Sequence, residues 1–152
     1  MDFSKIISLR KNQELSQRTM ANLLNVSKST YARWETGEEI IPLKHLVNLC
    51  NYFKVTMNYI FNLSSNNDFN KYDYTKKINK KEIGEKIKSI RKKENLTQYE
   101  LALLFNTSQS TISAYESGKT LLLTTFAYQL SKKFNISLDS LCNLDKEVIL
   151  NK

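Results

Sequence analysis

Apolar residues recur along this chain at helical spacing. Phe3, Ile6, Ile7 and Leu9 outline a first helix, with Lys5, Arg10 and Lys11 on its wetter side. Ser16 offers an N-cap for a second helix carrying Met20, Ala21, Leu23 and Leu24, and Ser27 caps a third that runs towards Glu35. Asn25 stands where the second helix must end, and Asn tolerates the left-handed backbone such a tight turn requires. Gly37 ends the third. A fourth helix begins near Pro42 and buries Leu46, Leu49 and Phe53, and Thr56 caps a short fifth.

The same plan then returns. At a constant offset of 81 the two halves align without a gap. Arg10 and Lys11 meet Arg91 and Lys92, Leu15 meets Leu96, Gln17 meets Gln98, and Ala21 meets Ala102. Asn25, Ser27, Ser29, Thr30, Glu35 and Gly37 fall on Asn106, Ser108, Ser110, Thr111, Glu116 and Gly118, and Leu49 and Phe53 fall on Leu130 and Phe134. Thr97, Ser108 and Ser137 are the matching caps. Two copies of one folding unit account for this. The reading is all-α: two tandem five-helix domains over 1–63 and 83–152, joined by a polar, basic linker over 64–82, with the helical phase resuming near Ile83. The linker's five lysines either graze a polyanion or merely solvate a spacer.

Composition supports helices, since three Gly and one Pro in 152 residues leave little turn material for hairpins. The net charge of +8, spread over both halves, points to a polyanionic partner. Two cysteines, no long apolar run and an acidic residue at Asp2 suit a reduced cytoplasmic setting without export or membrane insertion. A single histidine and no glycine-rich phosphate loop argue against an enzyme, and no cofactor is expected. His45 and Cys50 lack the further ligands a metal needs and read as ordinary helix residues.

Two short helices across a tight turn, the second with one polar side, have the layout of a helix-turn-helix. The residues themselves, LSQRTMANLLNVSKSTYARWETG and LTQYELALLFNTSQSTISAYESG, resemble the phage repressor and Cro type of that motif, the Xre family. The resemblance covers nearly all of both copies. It departs from the family in having Asn25 and Asn106 where Gly is common in the turn, and Leu123 where the first copy has Pro42. It implies lambda-repressor-like domains that bind an operator in double-stranded DNA and regulate transcription, most simply as a repressor in the cytoplasm at the nucleoid. It further implies that Arg10 pairs with Glu35 and Arg91 with Glu116, bridging the first helix to the end of the third. Trp34 and Tyr115 share an apolar period with Tyr31 and Ile112 and are expected in the core, while Ala21 and Ala102 let two helices approach.

The opposite face of the third helix is then expected to meet DNA. In the first copy it carries Lys28, Ser29, Ala32 and Arg33, and in the second Gln109, Ser110, Ser113 and Ala114. Thr30 and Thr111 either join them or face inward. Gln17 and Gln98 are expected on a phosphate oxygen. Lys28 and Arg33 donate to guanine and Gln109 suits adenine, so the first copy is expected to bind more strongly. A rival reading is a protein-binding module, an antitoxin or a phage-encoded inhibitor. A homodimer through the second copy is a further option, and the apolar run Val148, Ile149 and Leu150 could serve it.

Overall fold

The computed structural model describes residues 1–146, so the apolar run at 148–150 lies outside the described residues. Ten α-helices follow the repeat in order. The first five are α1 (Ser4–Asn12), α2 (Gln17–Leu23), α3 (Lys28–Thr36), α4 (Leu43–Phe53) and α5 (Met57–Ile60). The second five are α6 (Lys80–Lys93), α7 (Gln98–Leu104), α8 (Gln109–Glu116), α9 (Thr124–Phe134) and α10 (Leu138–Leu141). No strand occurs among the described residues. The chain divides into two compact units, one ending at Thr75 and the other beginning at Lys76.

Local chemistry sets the helix starts. Ser16, Ser27 and Thr56 accept from the backbone N–H groups of Thr19, Thr30 and Tyr59 at 3.0, 3.1 and 2.9 Å. Ser108 and Ser137 repeat this on Thr111 and Ser140 at 3.2 and 3.3 Å. Thr97 completes a capping box, since Glu100 accepts from its backbone N–H at 3.1 Å in return. Asn25 and Asn106 take φ of 57° and 52°, and Gly37 and Gly118 take 80° and 75°, all in the left-handed region. Pro42 and Leu123 are both N-caps, with ψ of 148° and 140°, so leucine adopts at α9 the backbone that proline presets at α4.

Unit one packs Ile6, Met20, Tyr31, Leu46, Leu49 and Met57 into its interior, and unit two packs Ile83, Ile87, Leu101, Ile112, Leu130 and Leu138. Burial of such side chains contributes about 2 kcal/mol each before entropy is counted. Leu23, expected inward, is 50% exposed, as is its counterpart Leu104 at 49%. The physical reason is phase. Met20 and Leu24 lie four apart on the inner stripe, and Leu23 is rotated out of it. Arg10, expected on the wet side of α1, is buried instead.

The stretch 64–82 also differs from a free spacer. Asn67 accepts from the Thr56 N–H at 3.1 Å and donates to the Lys54 carbonyl at 2.9 Å, tying the chain back to the turn between α4 and α5. Phe69, in a short 3-10 turn at Phe69–Lys71, stacks on Tyr74 with centroids 5.1 Å apart, and Tyr74 is buried. At the other end α6 starts at Lys80, because the Asn79 side chain accepts from the N–H groups of Lys81 and Glu82 at 3.0 and 3.1 Å. Ile83 therefore lies inside the helix.

Candidate nucleic-acid interface

Each unit presents the second of two short helices with one face sunk and the other open. In α3, Tyr31 and Trp34 are 0% and 3% exposed. Trp34 packs against Tyr31 and, at 5.1 Å between centroids, against His45. That anchoring leaves Lys28 and Ser29 exposed on the first turn and Ala32 and Arg33 partly exposed on the next. In α8, Ile112 and Tyr115 are sunk, Gln109, Ser110 and Ser113 are exposed, and Ala114 is partly so. The Ser29 and Ser110 hydroxyls hydrogen-bond the cap serines Ser27 and Ser108 at 3.1 and 2.9 Å. Thr30 and Thr111 point to the same caps at 2.8 and 2.9 Å, which turns their hydroxyls towards the helix start.

A buried ionic lock fixes the far end of each of these helices. The Arg10 guanidinium donates to both carboxylate oxygens of Glu35, Nε to Oε1 at 2.5 Å and Nη2 to Oε2 at 3.1 Å, and its Nη1 donates to the Leu15 carbonyl at 2.8 Å. Arg91 repeats the pattern with Glu116 at 2.7 and 2.9 Å and with the Leu96 carbonyl at 2.8 Å. One guanidinium thus clamps the end of the third helix to the turn before the second. Burial alone would raise the Glu35 carboxyl, but hydrogen bonds from Arg10 and Gln17 hold it below the usual carboxylate value. The hydrogen bond to Glu116 likewise raises Arg91.

Gln17 and Gln98 belong to this lock. The Gln17 amide nitrogen donates to Glu35 Oε2 at 2.9 Å, and that of Gln98 to Glu116 Oε1 at 3.3 Å. An amide nitrogen carries two hydrogens, so one is spent inward and one is left at the start of the helix. Sequence reasoning gave these glutamines a single outward partner and missed the inward one.

It missed three further features. Lys5 Nζ donates to the Tyr59 carbonyl at 2.9 Å and Lys86 Nζ donates to the Ser140 carbonyl, the same tether in both units between the first and fifth helices. Arg33 is not free, since its Nε donates to Glu39 Oε1 at 2.7 Å. Gly84 sits against the end of α8, where an added Cβ would collide with the Tyr115 carbonyl oxygen and lie 2.7 Å from that of Glu116. The repeat offset was the one available signal for the lysines, because Lys5 and Lys86 are 81 apart.

This arrangement, a braced second helix and a third helix with its N-terminal half free, is that of a helix-turn-helix, and comparison with known families agrees. The Helix-turn-helix family model matches residues 6–60 and again residues 87–141. The chain belongs to that family, in its Cro and repressor type, as two tandem DNA-binding domains. Antitoxin PezA of Streptococcus pneumoniae serotype 4 (strain ATCC BAA-334 / TIGR4) is 38% identical over 64 residues, which are 42% of this chain and 40% of that protein. The chain thus matches less than half the length of this relative. No solved structure matches it. Among the described residues no helix is long and apolar enough to cross a membrane, and no three His, Cys, Asp or Glu residues group to hold a metal.

Proposed function

We propose that the chain is a sequence-specific transcriptional regulator, acting as a repressor, that inserts α3, and more weakly α8, into the DNA major groove. The observation that carries this reading is the open face of α3, where Lys28, Ser29, Ala32 and Arg33 stand opposite a sunk Tyr31 and Trp34. A groove about 12 Å wide admits one such helix. Lys28 and Arg33 reach base edges or phosphates, and the remaining N–H of Gln17 reaches a phosphate beside the helix start. Gln109, Ser110, Ser113 and Ala114 offer the second unit only neutral contacts, with Gln98 on a phosphate. Two heads on one chain raise each other's effective concentration on a double site. The test is footprinting of the full chain on its gene's upstream region over a range of salt. A discrete protected site whose affinity falls steeply with salt supports the reading, and uniform weak protection would refute it.

A second reading has its own observation. Tyr99, Leu103 and Leu104 are 58%, 62% and 49% exposed on α7, where the first copy has Arg18, Asn22 and Leu23. Leu23 and Leu104 are alike in both copies, but Tyr99 and Leu103 replace Arg18 and Asn22, and the wider apolar surface this makes on α7 suits a protein contact, with a second copy of the chain or with another protein. The likeness to a protein named as an antitoxin points the same way. Sedimentation of the full chain beside a Leu103→Asp variant separates these options, because only self-association would be lost in the absence of any other protein.

A further inference from the structure

We infer that Glu39 is a specificity-determining residue that holds Arg33 away from DNA until the correct bases are present. The inference rests on Arg33 facing the major groove, as proposed above. The Arg33 Nε donates to Glu39 Oε1 at 2.7 Å, and its Nη2 lies 3.5 Å from the Thr30 hydroxyl. Both charged side chains remain open to solvent, at 39% and 45%. The pair is therefore no part of the core, and fold stability gives little reason for it.

Its geometry is built by the backbone. Gly37 turns left-handed at the end of α3, and the chain doubles back so that the Glu39 N–H donates to the Arg33 carbonyl at 3.2 Å. This bond sets residue 39 beside residue 33 whatever their side chains are. Unit two makes the same turn at Gly118, and the Thr120 N–H donates to the Ala114 carbonyl at 3.2 Å. The shared backbone carries an opposed charge pair in one copy and Ala114 with Thr120 in the other. The carboxylate thus appears only where there is a guanidinium to hold.

A guanidinium already bonded to a carboxylate gains little from exchanging it for a phosphate oxygen, since one charge-assisted bond replaces another. Exchange is favourable when a guanine offers O6 and N7 together to two N–H groups. Glu39 therefore weakens binding to arbitrary sequence more than binding to the correct one. It also sets a negative charge near the duplex, and that plain repulsion must be separated from the gating effect.

The test uses the full chain and two duplexes, the sequence it enriches from a random pool and a scrambled version of it. Glu39→Gln removes the charge at a solvent-open position, and unchanged circular dichroism confirms that it folds. The expected result is a rise of about tenfold in affinity for the scrambled duplex with a smaller rise on the selected one, so the ratio falls. In an Arg33→Ala background the substitution should shift both duplexes equally, by about threefold or less. An unchanged ratio, or the same loss of discrimination without Arg33, would overturn the gate. If Arg33→Ala alone weakens both duplexes equally, or no sequence is enriched, the groove-reading role itself fails and the gate falls with it. That failure is recognised without the Glu39 variant.

Discussion

At the residue scale, breaking either of the two ionic locks leaves a buried charge without its partner. Glu116 is almost wholly covered, its side chain 3% exposed, and three donors converge on it. Removing Arg91 strands a buried carboxylate, which costs about 3 kcal/mol. Arg91→Ala should lower the urea midpoint of unit two accordingly. Arg91→Lys, which keeps the charge but loses the two-pronged fit, should cost roughly half as much, because a compact ammonium cannot span both oxygens and the Leu96 carbonyl. Equal costs for the two variants would mean that charge alone matters.

Glu35 gives the lock of unit one a pH dependence. Its carboxyl is held below the ordinary value of 4.5 when folded, so the unfolded chain takes up the proton first. The stabilisation is fully present above that ordinary value and is lost as pH falls through the folded one. Thermal melts of the full chain should therefore show a falling midpoint below about pH 4.5 that Glu35→Gln flattens. A slope unchanged in that variant would remove Glu35 from the account.

At the element scale α6 lies close against the end of α8, an approach that Gly84 permits. Gly84→Ala gains helix propensity of about 1 kcal/mol, yet it drives a methyl into two backbone carbonyls that cannot yield as a flexible side chain would. The expected net result is destabilisation of unit two by about 1 to 3 kcal/mol, read from the same urea curves. A stabilised variant would show that α6 can slide away. The corresponding residue of the first copy is Phe3, the N-cap of α1, so the glycine contact has no counterpart there.

This contrast shows what a sequence can and cannot convey. The caps Ser16, Ser27, Thr97 and Ser108 and the left-handed Asn25 and Asn106 were legible, because each is decided by its own few neighbours. The alternation of Tyr31 and Trp34 with Lys28 and Arg33 was legible too, since one helix period places them on opposite sides. Gly84 against the Tyr115 carbonyl, Lys5 on Tyr59 and Arg33 on Glu39 were not, because their partners are brought close by the packing of other elements or by a turn's closure. Leu23 misled for a related reason: hydrophobicity nominates a residue for the core, but the phase of its helix decides. The polar composition of the segment after residue 63 is that of a spacer, and the two residues that fold it back, Asn67 and Tyr74, carry no local pattern.

At the scale of the whole molecule, one fold is used twice with its surface chemistry redistributed. The first copy sets Lys28 and Arg33 on the open face of its third helix, while the second sets Gln109 and Ala114 there and an apolar face on α7. The net charge of +8 serves both units at long range and gives any duplex a first, unspecific attraction. In the function we propose, discrimination rests on the few side chains of α3 that extend past the backbone of DNA to its bases.

That central claim is most directly tested by dimethyl sulfate probing of a duplex selected by the full chain, because the reagent methylates guanine N7, an atom that lies in the major groove. One or more guanines within the bound site should be protected, and Arg33→Ala should lose that protection while the chain still binds the duplex through its remaining contacts. A selected site whose guanines stay fully reactive at N7 with the protein bound, or whose protection is indifferent to Arg33, would contradict the claim.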